Sequence, residues 1–146
     1  MRILGLDFGS KTVGVAISDP TGMIAGGVEI IRRKDETHLR KTMRRIEELI
    51  AEYHADAIVL GYPLNMDETK GERAEKTLLF KQMLEQRTGL PVHLCDERLT
   101  TVEAEEIMAA TGIKRADYKK HVDRIAAAVI LQDWLDSYAD SDIYRS

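Results

Sequence analysis

Three carboxylates in this chain occupy positions where they could do chemistry together. Asp7 closes an apolar run near the N-terminus, Glu97 sits within Asp96-Glu97-Arg98, and Asp123 precedes an alanine-rich stretch. Carboxylates gathered at one place bind hard cations such as Mg²⁺ or Mn²⁺ through oxygen. Two such ions about 3.5–4 Å apart can activate water and stabilise the leaving oxygen of a phosphodiester. That chemistry requires no cysteine and no metal-ligating histidine. Residue type alone does not select these three, because the chain holds 25 acidic residues. Each also has a plain structural role open to it: Asp7 as the cap of a turn, Glu97 as the partner of Arg98, Asp123 as a helix N-cap.

The elements that must position them follow from periodicity. Arg2 to Asp7 is apolar without alternation, as in a strand buried on both faces. Phe8 to Thr12 reads as a turn, Val13 to Ser18 as a second strand, Asp19-Pro20-Thr21-Gly22 as another turn, and Ile24 to Ile31 as a third strand. Three strands on tight turns imply an antiparallel meander. The period then changes: Leu39, Met43, Ile46, Leu49, Ile50 and Tyr53 recur at helical spacing. Ala57 to Leu60 is a short buried strand, residues 65–71 a polar loop, and a helix follows to about Thr88, stopped by Gly89 and Pro91. Val92 to Cys95 makes a fifth strand. Thr101 opens a helix with Glu103 and Glu105 in its first turns, ended by Gly112, and Asp123 begins the last helix, Ile125 to Leu135.

This order predicts an α/β fold, one domain over residues 1–146, with a mixed five-stranded sheet and helices on both faces. The later strand–helix alternation requires parallel pairing through helical crossovers. Asp7 ends a strand that such a topology places centrally, and Glu97 lies just past the fifth. Sites in open sheets form beyond the carboxyl ends of parallel strands, so the two can share one edge.

Bulk composition bounds the possibilities. The 146 residues are 44% hydrophobic and 32% charged, which suits a water-soluble globular domain with a real core. No apolar run approaches the roughly 20 residues of a membrane span. The chain begins directly on the strand Ile3-Leu4-Gly5-Leu6, so no secretory signal is expected and a cytoplasmic location is the default. Cys95 is the sole cysteine, which excludes an internal disulfide and cysteine-rich metal sites. The net charge of −4 disfavours a general coat for nucleic acid. It leaves room for local basic groups, and there are three: Arg32-Arg33-Lys34; Lys41, Arg44 and Arg45; and Lys114, Arg115, Lys119, Lys120 and Arg124. Each could be solvated surface. The acidic C-terminal end (Asp133, Asp136, Asp140, Asp142) is expected to face away from any polynucleotide.

Four segments carry a resemblance. Leu4-Gly5-Leu6-Asp7-Phe8-Gly9-Ser10-Lys11 runs into Val13-Gly14-Val15-Ala16 and Ser18-Asp19; Gly61-Tyr62-Pro63-Leu64 is followed by Gly71; Asp96-Glu97-Arg98-Leu99-Thr100-Thr101 leads to Ala104-Glu105; and Val122-Asp123 precedes Ala126-Ala127 and Ile130-Leu131. In order and spacing these resemble the YqgF/RuvX family over nearly the whole chain. The resemblance implies an RNase H-like fold related to the RuvC Holliday junction resolvases. It also implies metal-dependent nuclease activity, on Holliday junctions or at the 5′ end of pre-16S ribosomal RNA. Asp7, Glu97 and Asp123 would then take the catalytic metal-binding positions, with Asp7 bridging two Mg²⁺ or Mn²⁺ ions. Lys11, Arg98 and Lys120 would meet nucleic-acid phosphates, from the turn beyond Asp7 and from the segments beside Glu97 and Asp123. Glu97 is the less secure of the acids, since related resolvases can carry the second acid on the fourth strand, where this chain has Gly61, Tyr62 and Pro63. Arg98 could equally be a structural partner of Asp96 or Glu97, and Asp96 is the alternative to Glu97 as a ligand. His121 reads as a surface residue, while Thr100 and Thr101 most simply cap the following helix.

Two rivals share part of this pattern. Asp7-Phe8-Gly9-Ser10 resembles the phosphate loop of actin-like ATPases, but such proteins need a second Asp-x-Gly segment, which this chain lacks. A non-catalytic nucleic-acid-binding module is the other, since a fold does not guarantee activity. Branched DNA and precursor rRNA are not separated by sequence, nor are a monomer and the homodimer that cutting two symmetric strands would favour.

Overall fold

The computed structural model describes residues 1–35, 38–63, 71–96 and 118–138, with 106, 109, 110, 112 and 114; of residues 118–124 and 138 it describes the backbone. The element order is β1 (Ile3–Phe8), β2 (Thr12–Ser18), β3 (Ala25–Arg32), α1 (Leu39–Tyr53), β4 (Ala57–Tyr62), α2 (Glu72–Thr88), β5 (Val92–Asp96) and α3 (Tyr118–Tyr138). The five strands form one sheet in the order β3-β2-β1-β4-β5. β1 pairs antiparallel with β2, and β2 with β3, while β4 lies parallel to both β1 and β5. The expected meander followed by parallel strands is therefore present, with β1 at the centre.

Alternation along the strands divides the core in two. Leu4, Leu6 and Phe8 of β1 join Val13, Val15, Ile58 and Leu60 under α1 and α2, where Met43, Ile46, Leu49, Phe80 and Leu84 complete the cluster. Ile3, Ala16, Ala57 and Val59 point to the other face, under Ala127, Ile130, Leu131, Trp134 and Leu135 of α3. Each large apolar side chain fully buried in these layers contributes roughly 1.5–3 kcal/mol. The helical spacing read from Leu39 to Tyr53 matches α1, with Met43, Ile46 and Leu49 buried. Gly89 ends α2 as expected, in a left-handed conformation (φ 70°) that costs glycine nothing, with its N–H donating to the Glu85 carbonyl.

Several boundaries differ by a few residues from the sequence expectation, and two of them bear on the site. β4 continues two residues past Leu60, because Gly61 and Tyr62 pair with Cys95 and Asp96 of β5. More consequentially, α3 begins at Tyr118, so Asp123 is not its N-cap but lies more than a turn inside it. The segment from Tyr118 to Val122 contains neither glycine nor proline, so nothing local stops the helix from extending upstream. Of the helix expected from Thr101, Glu106, Ala109 and Ala110 are helical, while its other residues, Glu103 and Glu105 included, fall outside the described residues, as does the loop at 65–70. Gly112, its expected stop, has φ 82°.

Candidate active site

Asp7 is set on the α3 side of the central strand. Ile3, Gly5 and Asp7 alternate with Leu4, Leu6 and Phe8, so Asp7 shares its face with the α3 layer and is half-buried. Across the antiparallel ladder its partner is Gly14. On the parallel side Leu6 pairs with Leu60, and Gly61 comes next. Asp7 therefore has a residue without a side chain on each neighbouring strand. Neither glycine places a side chain beside this carboxylate at the carboxyl end of the sheet.

Helix α3 packs against β1 because of a third glycine. A Cβ on Gly5 would stand 2.8 Å from the Leu131 Cβ and 3.3 Å from the Ala127 carbonyl oxygen. The helix thus rides directly on the β1 backbone. Its direction is fixed by two contacts on β5: the Cys95 thiol lies 3.6 Å from the Ile130 carbonyl oxygen, and the His93 ring stacks on Trp134 at 5.1 Å. Four residues forward along α3 correspond to two residues back along β5, so α3 runs antiparallel to the parallel strands. Its axial position is pinned by Gln132, which accepts from the Ala25 N–H at 2.9 Å and donates to the Met23 carbonyl at 3.0 Å.

This register places Asp123. One helical turn before Ala127 advances the backbone about 6 Å, and two strand residues beyond Gly5 advance it about 6.6 Å. Asp123 and Asp7 therefore lie in the same direction from the Gly5 contact, towards the carboxyl end of β1. Lys120 precedes Asp123 by three residues on the same helix. Asp133 and Asp136 lie further along α3, beyond Ala127 and Ile130.

On β5, Cys95 belongs to the α3 layer and Leu94 to the other core, and Asp96 follows Leu94's face by alternation. Asp96 thus projects from the face opposite to Asp7. Glu97 and Arg98, which follow it, lie outside the described residues. Among the described residues no three His, Cys, Asp or Glu side chains are grouped to hold a metal ion. Lys11 is exposed in the β1–β2 turn, where Gly9 donates to the Thr12 carbonyl at 2.7 Å and Lys11 accepts from the Arg33 N–H at 2.9 Å.

Two arginines brace this turn, and their role was not legible in the sequence. Arg33 donates to the Gly9 carbonyl at 2.8 Å and Arg73 to the Phe8 carbonyl at 2.9 Å. Their guanidinium carbons lie 5.0 and 4.8 Å from the centroid of the Phe8 ring, which also stacks on Phe80. Such cation–π contacts contribute about 0.5–2 kcal/mol each, depending on burial. The partners are 24 and 65 residues away from the carbonyls they hold, beyond any local pattern.

Comparison with known proteins places the chain. The model of the RuvX family, described as Holliday junction resolvase, matches residues 1–137. A protein of Agathobacter rectalis is 61% identical over 141 residues, covering 97% of this chain and 99% of its relative, and one of Lachnospira eligens is 53% identical over 137 residues, covering 94% and 98%. Both are provisionally named pre-16S rRNA nuclease. Among solved structures, Thermus thermophilus RuvC in complex with a Holliday junction substrate superposes with a TM-score of 0.60 at 18% identity over 97% of each chain. The fowlpox virus Holliday junction resolvase gives 0.57 at 16% identity, over 94% of this chain and 99% of its own. At those identities the likeness concerns the fold, which is the RNase H-like fold of these resolvases. The antiparallel meander, the central strand carrying Asp7, the helix laid across it and the match over nearly the full length agree: this chain belongs to the RuvX family.

Proposed function

We propose that this chain is a divalent-metal-dependent nuclease, one catalytic domain over residues 1–146, that hydrolyses phosphodiester bonds at the 5′ end of pre-16S rRNA. The observation that carries this reading is the glycine-flanked position of Asp7 on the central strand, at the end towards which the Asp123 segment of α3 runs, on a helix held against Gly5. Carboxylate oxygens suit Mg²⁺ or Mn²⁺. Asp7, Glu97 and Asp123 would hold the ions, which when bound supply activation of water and stabilisation of the leaving oxygen. Asp7 contributes a carboxylate on the most rigid strand of the sheet. Lys11 binds and orients a phosphate from the turn beyond it, and Arg98 and Lys120 would do the same from the segments beside Glu97 and Asp123. The Arg33 and Arg73 braces keep that turn from shifting when the substrate docks.

The high identity to proteins provisionally named pre-16S rRNA nuclease favours the RNA end as substrate. The resolvase likeness keeps the four-way DNA junction, cut by a homodimer, as the second candidate. The test incubates the purified protein with Mg²⁺ or Mn²⁺ on an RNA carrying the immature 5′ end and on a four-way junction. Cleavage of the RNA end that depends on the metal and on Asp7 is expected. A folded protein that binds but cuts neither would leave a non-catalytic binding module.

A further inference from the structure

A second feature lies away from the acids, between the end of β3 and the start of α1. Arg32, Arg33, Lys34, His38, Arg40 and Lys41 line an open cleft of about 700 Å³ there. Among the described residues its lining side chains are all basic, and His38 at its rim meets the Asp35 carboxylate at 2.8 Å. In a chain with 25 acidic and 21 basic residues, several cations elsewhere hold acidic partners. Arg45 holds Glu29 at 2.7 Å, Lys81 holds Glu85 at 3.0 Å, and Arg87 holds Glu47 at 2.7 Å. Arg32, Lys34, Arg40 and Lys41 are exposed and have no ion-pair partner among the described residues. The cations in the cleft are also at the wrong end of a helix for stability. Arg40 and Lys41 sit in the first turn of α1, which carries no acidic residue, and cations there oppose the helix dipole. Self-repulsion and an unfavourable dipole are both relieved by an anion of several charges seated in the cleft.

The cleft is continuous with the candidate active site. Arg32 pairs with Thr12 across the β2–β3 ladder, and Arg33 bonds to the backbone of Gly9 and Lys11. A basic track therefore starts at the turn two residues past Asp7 and ends at the amino end of α1. We propose that this track is a docking groove for the phosphate backbone of the polynucleotide whose end enters the Asp7 site. The proposal rests on the nuclease reading and adds where the rest of the strand lies. The recognised chemistry is the phosphodiester backbone, shared by RNA and DNA, and it carries no base specificity.

The test uses the full chain carrying Asp7→Asn, so that binding is read without cleavage. Affinity for a short single-stranded RNA and for a four-way DNA junction is measured by fluorescence anisotropy across a salt series. Arg40→Glu/Lys41→Glu is added to this background. Acids in the first turn of a helix favour its dipole, so this variant is expected to keep its fold, checked by thermal melting. A control with the same charge change on α2, Lys81→Glu/Arg87→Glu, is measured alongside. The cleft variant should bind both probes at least about tenfold more weakly, and its slope of log affinity against log salt on the RNA should fall by roughly 1.4, two phosphates' worth. The control should bind as its parent does. Equal losses in the two variants, or none in the cleft variant, overturn the groove while leaving the nuclease reading intact. A parent protein that binds neither probe overturns both.

Discussion

Gly5 of β1 and Leu131 of α3 stand so close that a Cβ on residue 5 would lie 2.8 Å from the Leu131 Cβ. The space that a methyl group would fill is taken up by a helix backbone, and that closeness sets how far Asp123 lies from Asp7. Gly5→Ala should therefore lift or slide α3. The expected loss of stability is about 1–3 kcal/mol, typical of overpacking, read by urea denaturation. Cleavage should fall further than the folded fraction does, since the acids separate. Leu131→Ala in the same chain should give little relief, because it keeps the Cβ that clashes. Full activity in a folded Gly5→Ala protein would show that α3 does not set the spacing of the acids.

Asp7→Asn keeps the size of the side chain and removes its charge. Glycines flank the position on both sides, and asparagine is isosteric with aspartate, so the packing of the position is kept. Cleavage should fall by roughly 10³-fold or more, as several kcal/mol of transition-state stabilisation are lost, in single-turnover assays on the precursor RNA end. Removing divalent metal with a chelator should have a comparable effect in the unaltered protein, reversed by adding Mg²⁺ or Mn²⁺.

Arg73→Ala removes both a cation beside the Phe8 ring and a donor to the Phe8 carbonyl. The loss should be about 1–3 kcal/mol. Arg33→Ala acts on the same turn, so the double variant should lose less or more than the sum by at least about 0.5 kcal/mol. A double-mutant cycle by chemical denaturation measures this coupling. Strict additivity would mean that the two arginines do not brace one element.

The β2–β3 turn carries its own acid dependence. Asp19 accepts the Thr21 hydroxyl and the backbone N–H groups of Ile24 and Met23, and these bonds lower its pKa to about 2 from the usual 3.8. A carboxylate whose pKa is depressed on folding stabilises the native state above its unfolded pKa and loses that contribution as pH falls through the folded value. Asp19→Asn should therefore flatten the fall of stability between about pH 4 and pH 2, read from melting temperatures across that range. An unchanged slope would show that the turn does not hold the charge.

Much of the fold could be read locally. The apolar run through Asp7, the Asp19–Gly22 turn and the helical spacing from Leu39 to Tyr53 each act over a few residues, and the structure follows them. The start of α3 could not. Asp123 looks like an N-cap beside the alanine-rich stretch, yet nothing in the preceding five residues breaks a helix, and α3 begins at Tyr118. The face that Asp96 takes also depended on register: beside Tyr62 of β4 it follows the face of Leu94, opposite to Asp7.

What the sequence by itself determined was the family and the order of strands and helices, because propensity, turn chemistry and motif spacing are properties of neighbouring residues. Only the tertiary structure decided which groups meet. Gly14 and Gly61 flank Asp7 from two different strands, Gly5 admits α3, Arg33 and Arg73 converge on Phe8, and the cations of β3 and α1 close on one cleft. Each of those meetings is fixed by sheet register and by helices crossing between parallel strands. They join residues far apart in the chain, where no local preference of the sequence reaches.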